Sequence, residues 1–211
     1  MSLVSTTAFI LKLDPLSEKD LVAALLTKDH GVVRAAVRGA RGKSKRAAAL
    51  QLLTEVSLTY FRREGADLAR VDGLEIVASA FDLASRAETA MLLPYLAESA
   101  LTFVPESELG GEVFRLVRHV LDALEAGVPA PLAARYFEVW LLRFAGVLPE
   151  DEAPEEIRTL IRVMRRLPLI ALSRKPPTPE ALGALESLTR DARRTFLGHE
   201  LKSYRFLGAL G

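Results

Sequence analysis

The side chains with the greatest chemical reach in this chain are cations packed into a short run. Arg34, Arg38, Arg41, Lys43, Lys45 and Arg46 place six bases in thirteen residues, and no acid lies between Asp29 and Glu55. Gly39, Gly42 and Ser44 make the middle of the run loop-like. A glycine-containing basic loop beside a strand can follow phosphates whatever the base sequence, because binding is driven by release of condensed counterions. The competing reading is a solvated surface loop. The missing counter-charge favours a polyanion partner. Gly42-Lys43-Ser44 after an apolar strand imitates a phosphate-binding loop, but the motif needs a glycine where Val37 stands.

Other chemistry is hard to assemble. Cysteine is absent, which removes disulfides and thiolate metal sites and fits a reducing cytoplasm. His30, His119 and His199 are far apart and lack partners at metal-ligand spacing, so ordinary structural roles are expected. There is no Gly-x-Ser-x-Gly elbow. Glu150, Asp151, Glu152, Glu155 and Glu156 form an acidic run that opens a helix, where carboxylates complement the dipole. The expectation is therefore a protein without catalytic residues, metal or cofactor.

Two further basic groups carry weaker readings. Arg193, Arg194, Lys202 and Arg205, with Arg190, are a possible secondary DNA contact or a solvated helix face. Arg158, Arg162, Arg165 and Arg166 lie away from the apolar stripe Ile157, Leu160, Ile161 and Met164, and could rim a groove that captures an acidic peptide.

The elements that must position these residues change character near residue 80. Residues 6–13, 20–27, 32–38, 55–62 and 68–77 read as strands. Val56, Leu58 and Tyr60 alternate with polar neighbours at period two. Tyr60 and Phe61 then point to opposite faces; core packing is the first expectation for either, base stacking the second. Five short strands without crossover helices suggest a small barrel such as an OB-fold. Helices are predicted over 84–104 (interrupted near Pro94), 112–126, 131–145, 155–167, 178–197 and 200–207. Thr178-Pro179-Glu180 is a well-formed helix start. Leu132, Tyr136, Trp140 and Phe144 at four-residue spacing are helical core. The expected class is α+β: an N-terminal five-stranded OB-fold barrel over 1–80, then an all-α domain over 81–211.

Half of the residues are apolar and the formal net charge is +1. The near-neutral total conceals asymmetry: residues 158–205 hold 11 bases against 4 acids. No run is apolar and long enough to span a membrane, and no basic segment precedes the first apolar run as in a secretory signal, so a cytoplasmic, nucleoid-associated protein is expected.

Several segments together resemble the bacterial RecO family of recombination mediators. They are Thr7-Ala8-Phe9-Ile10-Leu11 with Ser17-Glu18-Lys19-Asp20, then Leu25-Leu26-Thr27-Lys28-Asp29-His30-Gly31 with Val33-Arg34-Ala35-Ala36-Val37-Arg38-Gly39-Ala40-Arg41. Leu141-Leu142-Arg143-Phe144-Ala145-Gly146-Val147-Leu148-Pro149 and Leu197-Gly198-His199-Glu200-Leu201-Lys202-Ser203-Tyr204-Arg205-Phe206-Leu207 continue it in order. The resemblance implies an OB-fold, a helical C-terminal domain, and binding to single- and double-stranded DNA. It also implies annealing of complementary strands and assistance in loading the RecA recombinase. The implied partners are RecR and the acidic C-terminal tail of single-stranded DNA-binding protein. Arg34, Arg38 and Arg41 fall where the family's basic strand and loop meet DNA, with Lys43, Lys45 and Arg46 as the loop extension. Many members carry a four-cysteine zinc module after the position of Pro149; here 150–154 leads straight into a helix, and no zinc is expected. The alternative is an adaptor whose helical domain captures acidic peptide tails; a nuclease using the 150–156 acids is a third reading.

Overall fold

A computed structural model describes residues 2–41, 50–63, 65–104 and 110–207. Five strands come first: β1 (Ser2–Pro15), β2 (Leu21–Thr27), β3 (Gly31–Val37), β4 (Glu55–Arg62) and β5 (Ala69–Ala78). Helices follow: α1 (Phe81–Ala84), α2 (Ala87–Phe103), α3 (Gly110–Glu125), α4 (Ala130–Phe144), α5 (Glu155–Arg166), α6 (Leu169–Leu172), α7 (Pro179–Leu197) and α8 (Tyr204–Leu207). The class is α+β. The chain divides into two compact units, residues 1–115 and 116–211.

In the first unit the sheet runs β1-β2-β3-β5-β4 and closes because β1 pairs with both β2 and β4. β1 starts earlier than its apolar run: Ser2 to Phe9 pair with β4, and Ala8 to Pro15 pair with β2 across a bulge between Ile10 and Lys12. The polar start is strand by virtue of that partner, which local sequence does not reveal. β3 and β5 close the circuit in parallel, through Ala35 opposite Ala69 and Ala36 opposite Arg70.

Period-two alternation fills the interior with Ile10, Leu25, Val33, Val37, Leu58, Tyr60 and Val71, interleaved with Ala8, Ala23, Ala35 and Ala69. The outer faces differ. On β1 and β2, Phe9, Leu11, Val22, Ala24 and Leu26 point away from that interior and are still buried. α2 packs on these two strands, and Phe114 of α3 lies 4.8 Å from Phe9, ring centre to ring centre. The opposite face, on β3, β5 and β4, presents Arg34, Arg38, Arg70, Asp72 and Ser57 to solvent.

Pro94 does not interrupt α2, contrary to expectation; the helix is continuous from Ala87 to Phe103. Burial of Leu92, Leu93, Tyr95, Leu96 and Ala97 around it supplies the packing that outweighs one lost backbone bond.

The second unit packs α4 against α7 and α5, and α5 against α7. α7 begins on Thr178, whose hydroxyl accepts from the Ala181 amide at 3.2 Å, and stops at Gly198 with φ +74°.

Candidate nucleic-acid interface

Arg34 and Arg38 share one face of β3 and its continuation, and both are exposed, because Val33, Ala35 and Val37 take the inward positions. Among the described residues no carboxylate forms an ion pair with Arg34. Arg38 lies near Asp20, and its charge helps hold that carboxyl below the usual carboxylate range, after the larger effect of the Gly39 amide. Asp20 Oδ1 accepts from the Gly39 amide at 2.9 Å, fixing the chain where it leaves β3 with φ +61° at Gly39.

Arg41 is also exposed, but its guanidinium is engaged. Nη1 donates to the Ser17 carbonyl at 2.9 Å, and the Arg41 amide donates to the Lys19 carbonyl at 3.1 Å. It fastens the start of the basic loop to the turn between β1 and β2. Lys43, Lys45 and Arg46 lie outside the described residues, as do Gly42 and Ser44 of the apparent phosphate-loop motif.

Sequence reasoning passed over Arg70. Register places it beside Ala36 on β3 and opposite Phe61 on β4, with its guanidinium carbon 5.1 Å from the Phe61 ring centre. The outward row therefore runs from the Arg34–Arg38 strand to Arg70 and then to Phe61. The alternation that identified β4 would have found it, had it been extended to β5 and the parity of each cation counted. Beside this row, a cleft of about 240 Å³ lies between the β2–β3 and β4–β5 turns, lined by His30, Arg34, Arg62 and Asp67. Tyr60 is 0 % exposed inside the barrel, where burial pushes its phenol up. Of the two adjacent aromatics, only Phe61 reaches the outer face.

In the second unit one expectation is corrected. Arg193 is 2 % exposed and paired with Glu138 at 3.3 Å and Glu200 at 2.8 Å, its guanidinium over the Tyr204 ring at 4.1 Å. It is a buried tie between α7, α4 and the final segment, not a surface cation. Thr189 and Arg135 converge on the same Glu138, and Arg135 also reaches Glu186 at 3.0 Å. The Tyr204 hydroxyl donates to Glu186. Burial and that carboxylate push Tyr204 up to about 12. Burial pulls Glu186 the other way, yet the bonds from Tyr204 and Arg135 prevail and hold it below its ordinary value. Arg194, Lys202 and Arg205 are exposed.

Three arginines of α5 are occupied too. Arg165 meets Glu150 at 2.7 Å, while Arg158 and Arg162 meet Glu155 at 3.2 and 3.3 Å. Glu150 and Glu155 of the acidic run are thus counter-charges of their own helix. Arg166 is exposed. An apolar cavity of about 400 Å³ lies elsewhere in this unit, lined by Pro129, Leu132, Pro177, Leu182 and Leu207, with Arg135 and Glu186 among its walls. None of Arg158, Arg162, Arg165 and Arg166 lines it. His119 accepts the Leu169 amide at 3.2 Å through Nε2, the structural role expected of it. Among the described residues no three His, Cys, Asp or Glu side chains are placed to hold a metal, and no helix is long and apolar enough to cross a membrane.

Comparison with known proteins decides the family. Residues 1–80 match the family model described as Recombination protein O N terminal, and residues 84–153 match Recombination protein O C terminal. The chain belongs to the RecO family. Similar relatives include the DNA repair protein RecO of Anaeromyxobacter sp. (strain K), 36% identical over 154 residues, covering 72% of this chain and 61% of that protein. That of Koribacter versatilis (strain Ellin345) is 33% identical over 150 residues, covering 70% and 61%. That of Syntrophus aciditrophicus (strain SB) is 28% identical over 145 residues, covering 68% and 56%. This RecO-family chain thus spans about three fifths of the length of these relatives.

Proposed function

We propose that this RecO-family chain is a non-catalytic mediator of DNA repair and recombination that binds single- and double-stranded DNA through the outer face of an N-terminal OB-fold. The observation that carries the reading is the uncovered row of Arg34, Arg38 and Arg70 on β3, its continuation and β5, on a sheet whose other outer face is covered by helices. In sequence, Lys43, Lys45 and Arg46 add three further cations after Arg41, which ties the chain beyond β3 to the β1–β2 turn. Binding by phosphate neutralisation needs neither nucleotide hydrolysis nor a metal. It also lets two complementary strands be held close enough to anneal, consistent with assistance to RecA loading alongside RecR in the cytoplasm. The names of the relatives support repair as the setting.

Charge reversal with Arg34→Glu and Arg38→Glu tests this. Affinity for random-sequence oligonucleotides should fall at moderate salt. The slope of log affinity against log salt should drop by about one for each phosphate that is no longer neutralised. An unchanged slope would defeat the assignment.

A second reading, compatible with the first, is supported by the apolar cavity beside α4 and α7. Its size and its apolar, proline-rich wall suit a short peptide ending in an apolar residue, the character of the tail of single-stranded DNA-binding protein. Leu182→Glu in the cavity wall should abolish anisotropy change with a labelled tail peptide while leaving DNA binding intact.

A further inference from the structure

We propose that Phe61, with Arg70 laid over its ring, is a stacking station for one unpaired base, so that the basic row reads single strands and not only backbone. The inference rests on the DNA-binding reading above and deepens it.

Strand parity sets the station. Tyr60 and Phe61 are adjacent, yet the first is sealed inside the barrel and the second is partly exposed on the outer face. Across the sheet, Leu3 on β1 pairs with Phe61 on β4, Phe61 with Arg70 on β5, and Arg70 with Ala36 on β3. Neighbouring strands lie about 5 Å apart. Arg34 and Arg38 stand on either side of Ala36 along β3. The row thus reads cations, then an arginine over an aromatic ring, then an apolar side chain, Leu3, that is 57 % exposed. A phosphodiester chain held by Arg34 and Arg38 has its bases beside Phe61.

The Arg70 guanidinium is planar and occupies the space above the ring where a base would lie. A phosphate offers it charge-assisted hydrogen bonds, a stronger partner than the ring. The geometry therefore supports an exchange: the base slides onto Phe61 and Leu3, and Arg70 moves to the adjoining phosphate. A duplex cannot take part without unstacking a base, whereas a single strand presents base faces freely.

The test separates base from backbone. Wild-type protein and the Phe61→Leu and Phe61→Trp variants are titrated with an oligothymidine, an abasic single strand of equal length and charge, and a duplex. The wild type is expected to prefer the base-bearing strand over the abasic one by roughly 5- to 100-fold, the worth of one stacked base. Phe61→Leu should erase that preference while abasic and duplex strands still bind; Phe61→Trp should retain it, which also shows that the barrel accepts substitution here. A Phe61→Leu preference equal to wild type would overturn the station while the phosphate-binding row stands. Failure of every wild-type titration at low salt would remove both.

Discussion

Arginine identity says little until each guanidinium is seen with its neighbours. Arg193 and Arg194 are consecutive, and one is buried among carboxylates while the other faces solvent. Removing Arg193 leaves Glu138 buried with part of its compensation gone, which costs about 3–5 kcal/mol. Arg193→Ala should therefore lower the urea midpoint sharply, whereas Arg194→Ala should leave stability within about 0.5 kcal/mol of wild type. The periodicity of α7 was legible, but the burial of Arg193 was not. Glu138 and Glu200, which make burial tolerable, lie 55 and 7 residues away. The same cluster sets a titration. Tyr204, raised to about 12, stays protonated in the folded chain while an unfolded tyrosine ionises near 10. Its contribution to stability is full below pH 10 and is lost as pH climbs toward 12. In ¹³C-tyrosine NMR, the resonance that disappears in Tyr204→Phe should begin to move only well above pH 10.

At the scale of elements, local devices set the chain where it leaves β3 and where α3 begins. Asp20 accepts the Gly39 amide, and its depressed carboxyl pKa means that the anchor is complete above the ordinary aspartate value of 3.8 and is lost as pH falls through the lowered one. Asp20→Ala should accelerate hydrogen exchange at the Gly39 amide at neutral pH, with wild type approaching that rate only in acid. The entry to α3 is constrained by close approach instead. A Cβ on Gly110 would stand 2.5 Å from the Gly31 Cα at the start of β3, and backbone cannot yield as a flexible side chain does. Gly110→Ala should destabilise by about 1–3 kcal/mol in chemical denaturation. The strands themselves were readable to within a few residues, because alternation survives in the final fold. The approach of Gly110 to Gly31 leaves no periodic trace, so it was not.

For the whole molecule, the question is where an independently folding N-terminal part ends. Hydrophobic period changes near residue 80, and the matched family segments divide there too, at 80 and 84. The compact unit runs further, to residue 115. The difference is physical: the barrel buries two surfaces. Its interior is filled by the five strands with Ala40 and Leu50, all within residues 1–80, but Phe9, Leu11, Val22, Ala24 and Leu26 on the outside of β1 and β2 rely on cover, and α2 together with Phe114 of α3 supplies it within this unit. A fragment of residues 1–80 would expose that apolar face to water, at about 25 cal/mol for each Å² uncovered. A fragment of residues 1–126 keeps the cover and carries α3 to its end. The longer fragment should be soluble, melt cooperatively and retain oligonucleotide binding. The shorter one should bind an apolar dye and aggregate. Equal solubility and cooperative melting of the two would place the limit of autonomous folding at the change of period, with α2 as an accessory to the barrel and not part of its stability.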